Sequence, residues 1–219
     1  MNTHPGQPYR RLSDAQCEKL HQASLAILER TGARLYHQPA IDLLQKAGAE
    51  VSDGNRVRIP PGLVERAFET VPNEVVLYDR HGEPAMALGG HRSYYGTGSD
   101  CLNIHDHRTD QRREPVLQDV VEGVTLCDAL PNIDFVMSMF LPKDVPDMAS
   151  DRHQMRVMLE RTTKPVVYVT NEFSGCVDAV AMAAAVVGGE DALAERPLAA
   201  CYINVTTGLR HNEEALEKM

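Results

Sequence analysis

Apolar and polar positions follow two different rhythms along this chain. In the first part they recur at helical intervals. Cys17, Leu20, Ser24, Ile27 and Leu28 predict one face of a helix over 13–31, opened by the capping-box pair Ser13 and Gln16 and stopped by Gly32. Pro39 and Gly48 bracket a second helix over 39–47. In AEVSDGNRVRIP, Asp53-Gly54 separates two short strand-like runs, which predicts a hairpin. A third helix opens at Pro60-Pro61, carries Val64, Ala67, Phe68 and Val71 at helical spacing, and ends at Pro72. VVLYD over 75–79 predicts a strand, and 82–90 a loop or hairpin.

From residue 92 short apolar runs alternate with amphipathic ones. Strands are predicted over 93–98, 132–140, 164–171 and 197–205. Helices are predicted over 115–130, 148–162 and 174–189, the last capped by Ser174, and another begins at 212. The strands are apolar or β-branched nearly throughout, as in parallel sheets covered on both faces. Repeated βα units imply a doubly wound sheet or a (β/α)8 barrel. The chain therefore divides into a helical and hairpin segment, 1–91, and about four βα units, 92–219. The last helix has no stop signal, so the natural chain is expected to continue.

Composition narrows the classes. The 219 residues are 43% hydrophobic and 24% charged, enough for a sizeable core. A net charge of −9 argues against a nucleic-acid or anionic-membrane partner. No apolar run reaches the ~18 residues a membrane helix needs, and MNTHPGQPYRR lacks the apolar segment of a signal peptide. Cys17, Cys101, Cys127, Cys176 and Cys201 are spread out without a CxxC pair, which points to reduced thiols in the cytoplasm. No G-x-S-x-G, P-loop or H-E-x-x-H pattern is present.

The richest stretch is YYGTGSDCLNIHDHR, 94–108. Three chemistries compete for it. Cys101, His105 and His107 have ligand types that zinc accepts, which would suit a metal-dependent barrel hydrolase. Gly96-x-Gly98 after a strand has part of a dinucleotide fingerprint, but Cys101 stands where the third glycine belongs. The third is a pocket floor, because barrel chemistry sits at the C-terminal ends of strands. On that basis Tyr95 and Phe140 are candidate aromatic walls for a small cation, and Asp100, Asn171 and Asn204 are candidate polar orienters, with Thr206 and Thr207 nearby. The bland alternative makes Tyr94, Tyr168 and Tyr202 plain core filling.

The order of segments adds a further indication. LHQASLAILERTGARLYHQPAIDLLQKAGAEVSDGNRVRIPPGLVERAFETVP, then VVLYDRHGEP, YYGTGSD, TDQRREPVLQDVVEGVTLCDALPNIDFV and KPVVYVTN, resembles the N-terminal part of the trimethylamine methyltransferase family. The resemblance implies a (β/α)8 barrel about twice this length. It also implies transfer of a methyl group from a tertiary or quaternary amine, such as trimethylamine or glycine betaine, to a corrinoid (cobalamin) carried by a partner protein, as in methanogenesis and one-carbon metabolism. No cofactor is then expected on this chain itself. The pyrrolysine position of some members lies beyond the segment matched here. The non-enzymatic alternative is an amine-binding module, or a half-barrel that closes by self-association.

Overall fold

The computed structural model describes residues 10–204 and 208–219. They fall into two compact units: Asn73–Tyr202, and the described part of Gln7–Pro72 together with Ile203–Met219.

The unit holding the N-terminal helices begins with α1 (Asp14–Arg30), β1 (Ala33–Leu35), α2 (Gln38–Lys46), β2 (Glu50–Ser52), β3 (Arg56–Arg58) and α3 (Pro61–Thr70). The capping box forms: Gln16 N–H donates to Ser13 Oγ at 3.3 Å and Ser13 N–H to Gln16 Oε1 at 2.9 Å. Gly32 ends the helix at φ +69°, and a Cβ there would sit 2.5 Å from Val57 O. Glycine is required for both reasons. The buried face of α1 is not the expected one. Leu25 is buried, while Cys17, Leu20, Ser24 and Ile27 are exposed. Apolar residues surround much of this helix, so spacing alone does not choose its inner face.

Asp53 and Gly54, at φ +52° and +76°, turn β2 back onto β3. Strand β1 pairs with β3 on one side and, in parallel, with Arg210–His211 on the other. That last strand has only two residues, too few to show any period. Ala33, Leu35, Ile41, Ala49 and Val57 form the core of this unit.

The Asn73–Tyr202 unit contains two hairpins, β4 (Val75–Tyr78) with β5 (Pro84–Leu88) and β6 (Ile104–Asp106) with β7 (Gln111–Arg113). Then come α4 (Leu117–Ala129), β8 (Val136–Met137), α5 (Ser150–Arg161), β9 (Val166–Tyr168), α6 (Phe173–Val187), α7 (Glu190–Glu195) and β10 (Ala199–Cys201). Beyond them β11 (Arg210–His211) and α8 (Glu213–Glu217) belong to the other unit.

Strands β8, β9 and β10 are parallel and adjacent in sequence order. The segment expected as a strand over 93–98 extends this row only through isolated parallel bridges, Gly96 to Phe135 and Cys101 to Phe140. Thr97 ties it further, its hydroxyl accepting from Met137 N–H at 2.8 Å. A side chain at Gly96 would collide with the Phe135 ring.

Four parallel segments thus succeed one another, linked by helices that pack in order, α4 on α5 and α5 on α6. Val120, Val124, Val136, Met155, Met158, Val166, Tyr168 and Leu198 form the core between strands and helices. Coverage of both strand faces was expected, but only one face is well buried. In β9, Val166 and Tyr168 are buried and Val167 is half-buried, and β10 is half-buried throughout.

The class is mixed α/β, and no sheet among the described residues closes into a barrel. The β4–β5 hairpin was grouped from sequence with residues 1–91, but its hydrogen bonds run into the βα region. Tyr78 N–H donates to Pro197 O, and Arg80 N–H to Thr163 O, both at 2.8 Å. Ser174 does not cap α6. Glu172 holds that position, and the Ser174 hydroxyl donates to its carboxylate at 2.6 Å. Among the described residues no helix is long and apolar enough to cross a membrane.

Candidate functional site

Because the four segments run in parallel, their C-terminal ends share one edge. Asp100 lies on that edge. Its N–H donates to Ser138 O at 2.9 Å, and Cys101 N–H donates to Met139 O at 2.9 Å. Asp100 adopts φ +58°, a left-handed conformation that Asp and Asn tolerate better than most residues. Its carboxyl is half-buried, and loss of hydration raises its pKa against a smaller lowering by the Ser99 hydroxyl. It forms no ion pair among the described residues. The other carboxylates with resolved shifts, Asp106, Asp119, Glu122 and Asp128, are all shifted downward.

Ser138 connects three of the segments. It is 2% exposed. Its carbonyl receives Asp100, its N–H donates to Val167 O at 3.2 Å, and its hydroxyl accepts from Val169 N–H at 3.2 Å. Asp151, buried at the start of α5, holds the next loop: Asn171 N–H donates to its Oδ2 at 3.0 Å. A Cβ on Gly175 would strike that same oxygen, so glycine permits the contact. Arg152 then bonds Asp178 Oδ2 at 2.6 Å, Ser174 Oγ at 2.8 Å and Glu172 Oε1 at 3.4 Å, joining the first turn of α5 to the N-terminal two turns of α6. Sequence reasoning missed Ser138, Asp151 and Arg152. A lone serine in an apolar run and an acid–base pair opening a helix carry no local signal of such roles.

The structure separates some of the expected site residues. Tyr95 is not at the C-terminal edge. Its backbone pairs with Asp134 at the start of the second segment, with Tyr95 N–H on Asp134 Oδ2 at 2.8 Å. Five residue steps, about 16 Å of chain if extended, separate it from Asp100. The extended run continues to Cys101, past the strand end expected at 98, and this reverses the end on which Tyr95 falls.

Phe140 is on the expected edge, bridged to Cys101, but its ring leans toward α4: a Cβ at Gly123 would lie 3.2 Å from its Cε2. Asn171 is on the same edge, and its amide donates to Asp147 O at 3.0 Å. Asn204 is exposed and grouped with the other unit, and Thr206 and Thr207 lie outside the described residues. Tyr168 is core filling, while Tyr202, at the end of β10, is 47% exposed.

The zinc reading of Cys101, His105 and His107 is also corrected. Among the described residues no three His, Cys, Asp or Glu side chains are placed to hold a metal ion. Residues 99–113 contain the β6–β7 hairpin, and their side chains serve that hairpin. His105 Nε2 meets Asp110 Oδ1 at 3.2 Å, and Cys101 and His107 are exposed. Asp106 anchors the hairpin, accepting from Arg113 Nε at 2.7 Å and Arg108 N–H at 2.9 Å. Arg113 also grips Asp119 of α4 with two bonds, at 2.7 and 2.8 Å. These bonds to Arg113 pull the Asp106 pKa down to about 2 and lower that of Asp119.

Parallel βα repeats with a polar strand-end edge define the class of α/β proteins whose chemistry sits on that edge. Comparison with known sequences narrows the class. The family described as trimethylamine methyltransferase (MTTB) matches residues 2–219, and the chain belongs to it. Over 206 residues it is 32% identical to the trimethylamine methyltransferase MttB of Desulfitobacterium hafniense (strain DSM 10664 / DCB-2), which covers 94% of this chain and 42% of that protein. It is 27% identical over 209 residues to the glycine betaine methyltransferase of Desulfitobacterium hafniense (strain Y51), covering 95% of this chain and 43% of that protein. The trimethylamine methyltransferase MttB1 of Methanosarcina acetivorans is 27% identical over 155 residues, 68% of this chain and 31% of that protein. The chain thus spans less than half the length of these relatives.

Proposed function

We propose that the chain is the N-terminal part of an enzyme that removes a methyl group from a tertiary or quaternary amine such as trimethylamine or glycine betaine. In this reading its parallel segments are the first half of a (β/α)8 barrel. Their sequential order and the consecutive packing of α4, α5 and α6 support the barrel over a doubly wound sheet, whose strand order reverses at a switch point. The half-buried face of β9 and β10 is the side the remaining strands would cover.

The observation that carries the reading is Asp100, a half-buried carboxylate at a strand end without a cation partner among the described residues. A quaternary ammonium has no N–H to donate. It is recognised by an anion and a partly dehydrated wall, and both strengthen as water leaves. Asp100 supplies the anion; with the Phe140 ring turned toward α4, the wall is left to the part of the barrel beyond these segments. Ser138 and Asp151 fix the backbone of Asp100 and Asn171, so the charge is held before the amine arrives.

Methyl transfer breaks one C–N bond and leaves its electron pair on nitrogen. The corrinoid of a partner protein supplies the methyl acceptor. No nucleophile is then asked of this chain, in keeping with the lack of a nucleophile motif. Five free thiols suit the reducing cytoplasm.

The test is calorimetric titration of the chain with trimethylamine and with glycine betaine, before and after Asp100→Asn. Asn fits the left-handed backbone, so the fold is retained. Binding at least about tenfold weaker, 1.4 kcal/mol, is expected. Equal binding by both proteins, or by neither, would remove Asp100 from the site.

A further inference from the structure

In the other unit, three arginines stand side by side on neighbouring strands. The register pairs Arg34 of β1 directly with Arg56 of β3 and with Arg210 of β11. Directly opposed residues in a sheet hold their Cβ atoms about 4.5–5.5 Å apart, and like charges there repel. A chain of net charge −9 has no general surplus of cations to account for the row. With Thr31, Gly32, Gly208 and Leu209, the three arginines line a cavity of about 250 Å³, and no carboxylate is in its wall.

The surroundings neutralise little of this charge. Arg56 Nε reaches Asp53 Oδ2 at 3.3 Å, and its Nη1 donates to Thr31 O at 2.9 Å. Arg210 donates to the Tyr36 hydroxyl at 2.5 Å and lies over the Tyr36 ring, 5.3 Å from its centre. Arg34, the middle member, has no side-chain hydrogen bond or ion pair among the described residues. The field is felt locally: Arg210, and more weakly Arg34, hold the Tyr36 phenol below its ordinary pKa. Three guanidinium charges against the one carboxylate of Asp53 leave two positive charges unmet.

We propose that Arg34, Arg56 and Arg210 form a binding site for a divalent oxyanion of the phosphate class, either free phosphate or the phosphoryl group of a small metabolite. Planar guanidinium forks match phosphate oxygens two at a time, which a lysine cluster would not do. A cavity of about 250 Å³ suits an anion of that size. The site is independent of the amine reading, because all its residues lie in the unit that does not hold Asp100.

The test is titration of the 219-residue chain with inorganic phosphate and, separately, with glycerol phosphate, each against sodium chloride at matched ionic strength. Arg34→Gln and Arg34→Lys serve as variants. Arg34 is exposed, and an unchanged melt in phosphate-free buffer verifies that both variants fold. Saturable binding to the wild type is expected, weakened about ten- to a hundredfold by Arg34→Gln and less by Arg34→Lys, which keeps the charge and loses the fork. The tighter of the two ligands identifies the source of the phosphoryl group. Binding that sodium chloride reproduces, or that Arg34→Gln leaves intact, would overturn the proposal, as would no binding by either ligand.

Discussion

Asp100 and Asp106 lie close in sequence, and the fold treats them in opposite ways. Asp106 sits in a hairpin strand, clasped by Arg113 and the Arg108 N–H, with its pKa pulled to about 2. Asp100 sits at the end of a parallel segment, half-buried, with only the Ser99 hydroxyl to offset burial, and its pKa is raised. The first carboxylate is spent on structure, since it holds the 104–113 hairpin to α4 through an arginine shared with Asp119. The second is maintained at a cost, with no cation supplied by the described residues. A partnered charge reports on architecture, and an unpartnered half-buried one is a candidate for a ligand site.

The largest effect that sharpens this contrast is expected at Asp100. Asp100→Asn should cut methyl transfer by the full-length enzyme by at least about tenfold while raising the melting temperature at neutral pH. The sign follows from linkage. A raised folded-state pKa means the ionised form is disfavoured by folding, so its penalty is full above that pKa and vanishes as pH falls below the unfolded value near 3.8. A variant that is less stable and equally active would reverse the assignment.

Next comes Arg113→Gln, which should behave in the opposite sense. The stability held by Asp106 is complete above its ordinary pKa of 3.8 and is lost as pH falls toward about 2. Without Arg113 that loss has already occurred at neutral pH. The variant should therefore unfold at lower denaturant concentration at pH 7 and show a flatter dependence between pH 4 and pH 2 than the wild type, as followed by denaturant melts. Parallel pH curves for the two proteins would break the contrast.

Ser138→Ala should cost about 1 kcal/mol, because the half-buried Val169 N–H loses its acceptor. Hydrogen exchange at Val169 is the specific readout. Exchange as slow as in the wild type would show that the hydroxyl does not hold the edge. The smallest effect is expected at His105, an exposed side chain whose one ion pair among the described residues is with Asp110. His105→Ala should shift stability by no more than about 0.5 kcal/mol and leave metal content unchanged by elemental analysis. A larger loss of either would restore the zinc reading.

Local chemistry explains which parts were legible in advance. The capping box at Ser13, the Asp53-Gly54 turn and the glycine stop at Gly32 all act over a few residues, and each appears as expected. The βα alternation after residue 92 is also visible, because buried strands and amphipathic helices leave different apolar periods. The end of the first strand was less legible. Residues 93–101 pair by single bridges, so the apolar run marks the segment but not where it stops, and Tyr95 was assigned to the wrong end. The C-terminal partner of β1 was invisible, since Arg210–His211 is two residues long and pairs with a strand far away in the chain.

The sequence by itself determined most of the helices, the βα alternation, the mixed α/β class and the family, because periods, caps and segment order are properties of neighbouring residues. Tertiary structure alone decided which carboxylates found an arginine, which face of α1 was buried, and that three arginines distant in sequence came to stand in one row. Burial and charge pairing depend on what lies across space, and a carboxylate reads identically in sequence whether an arginine faces it or water does.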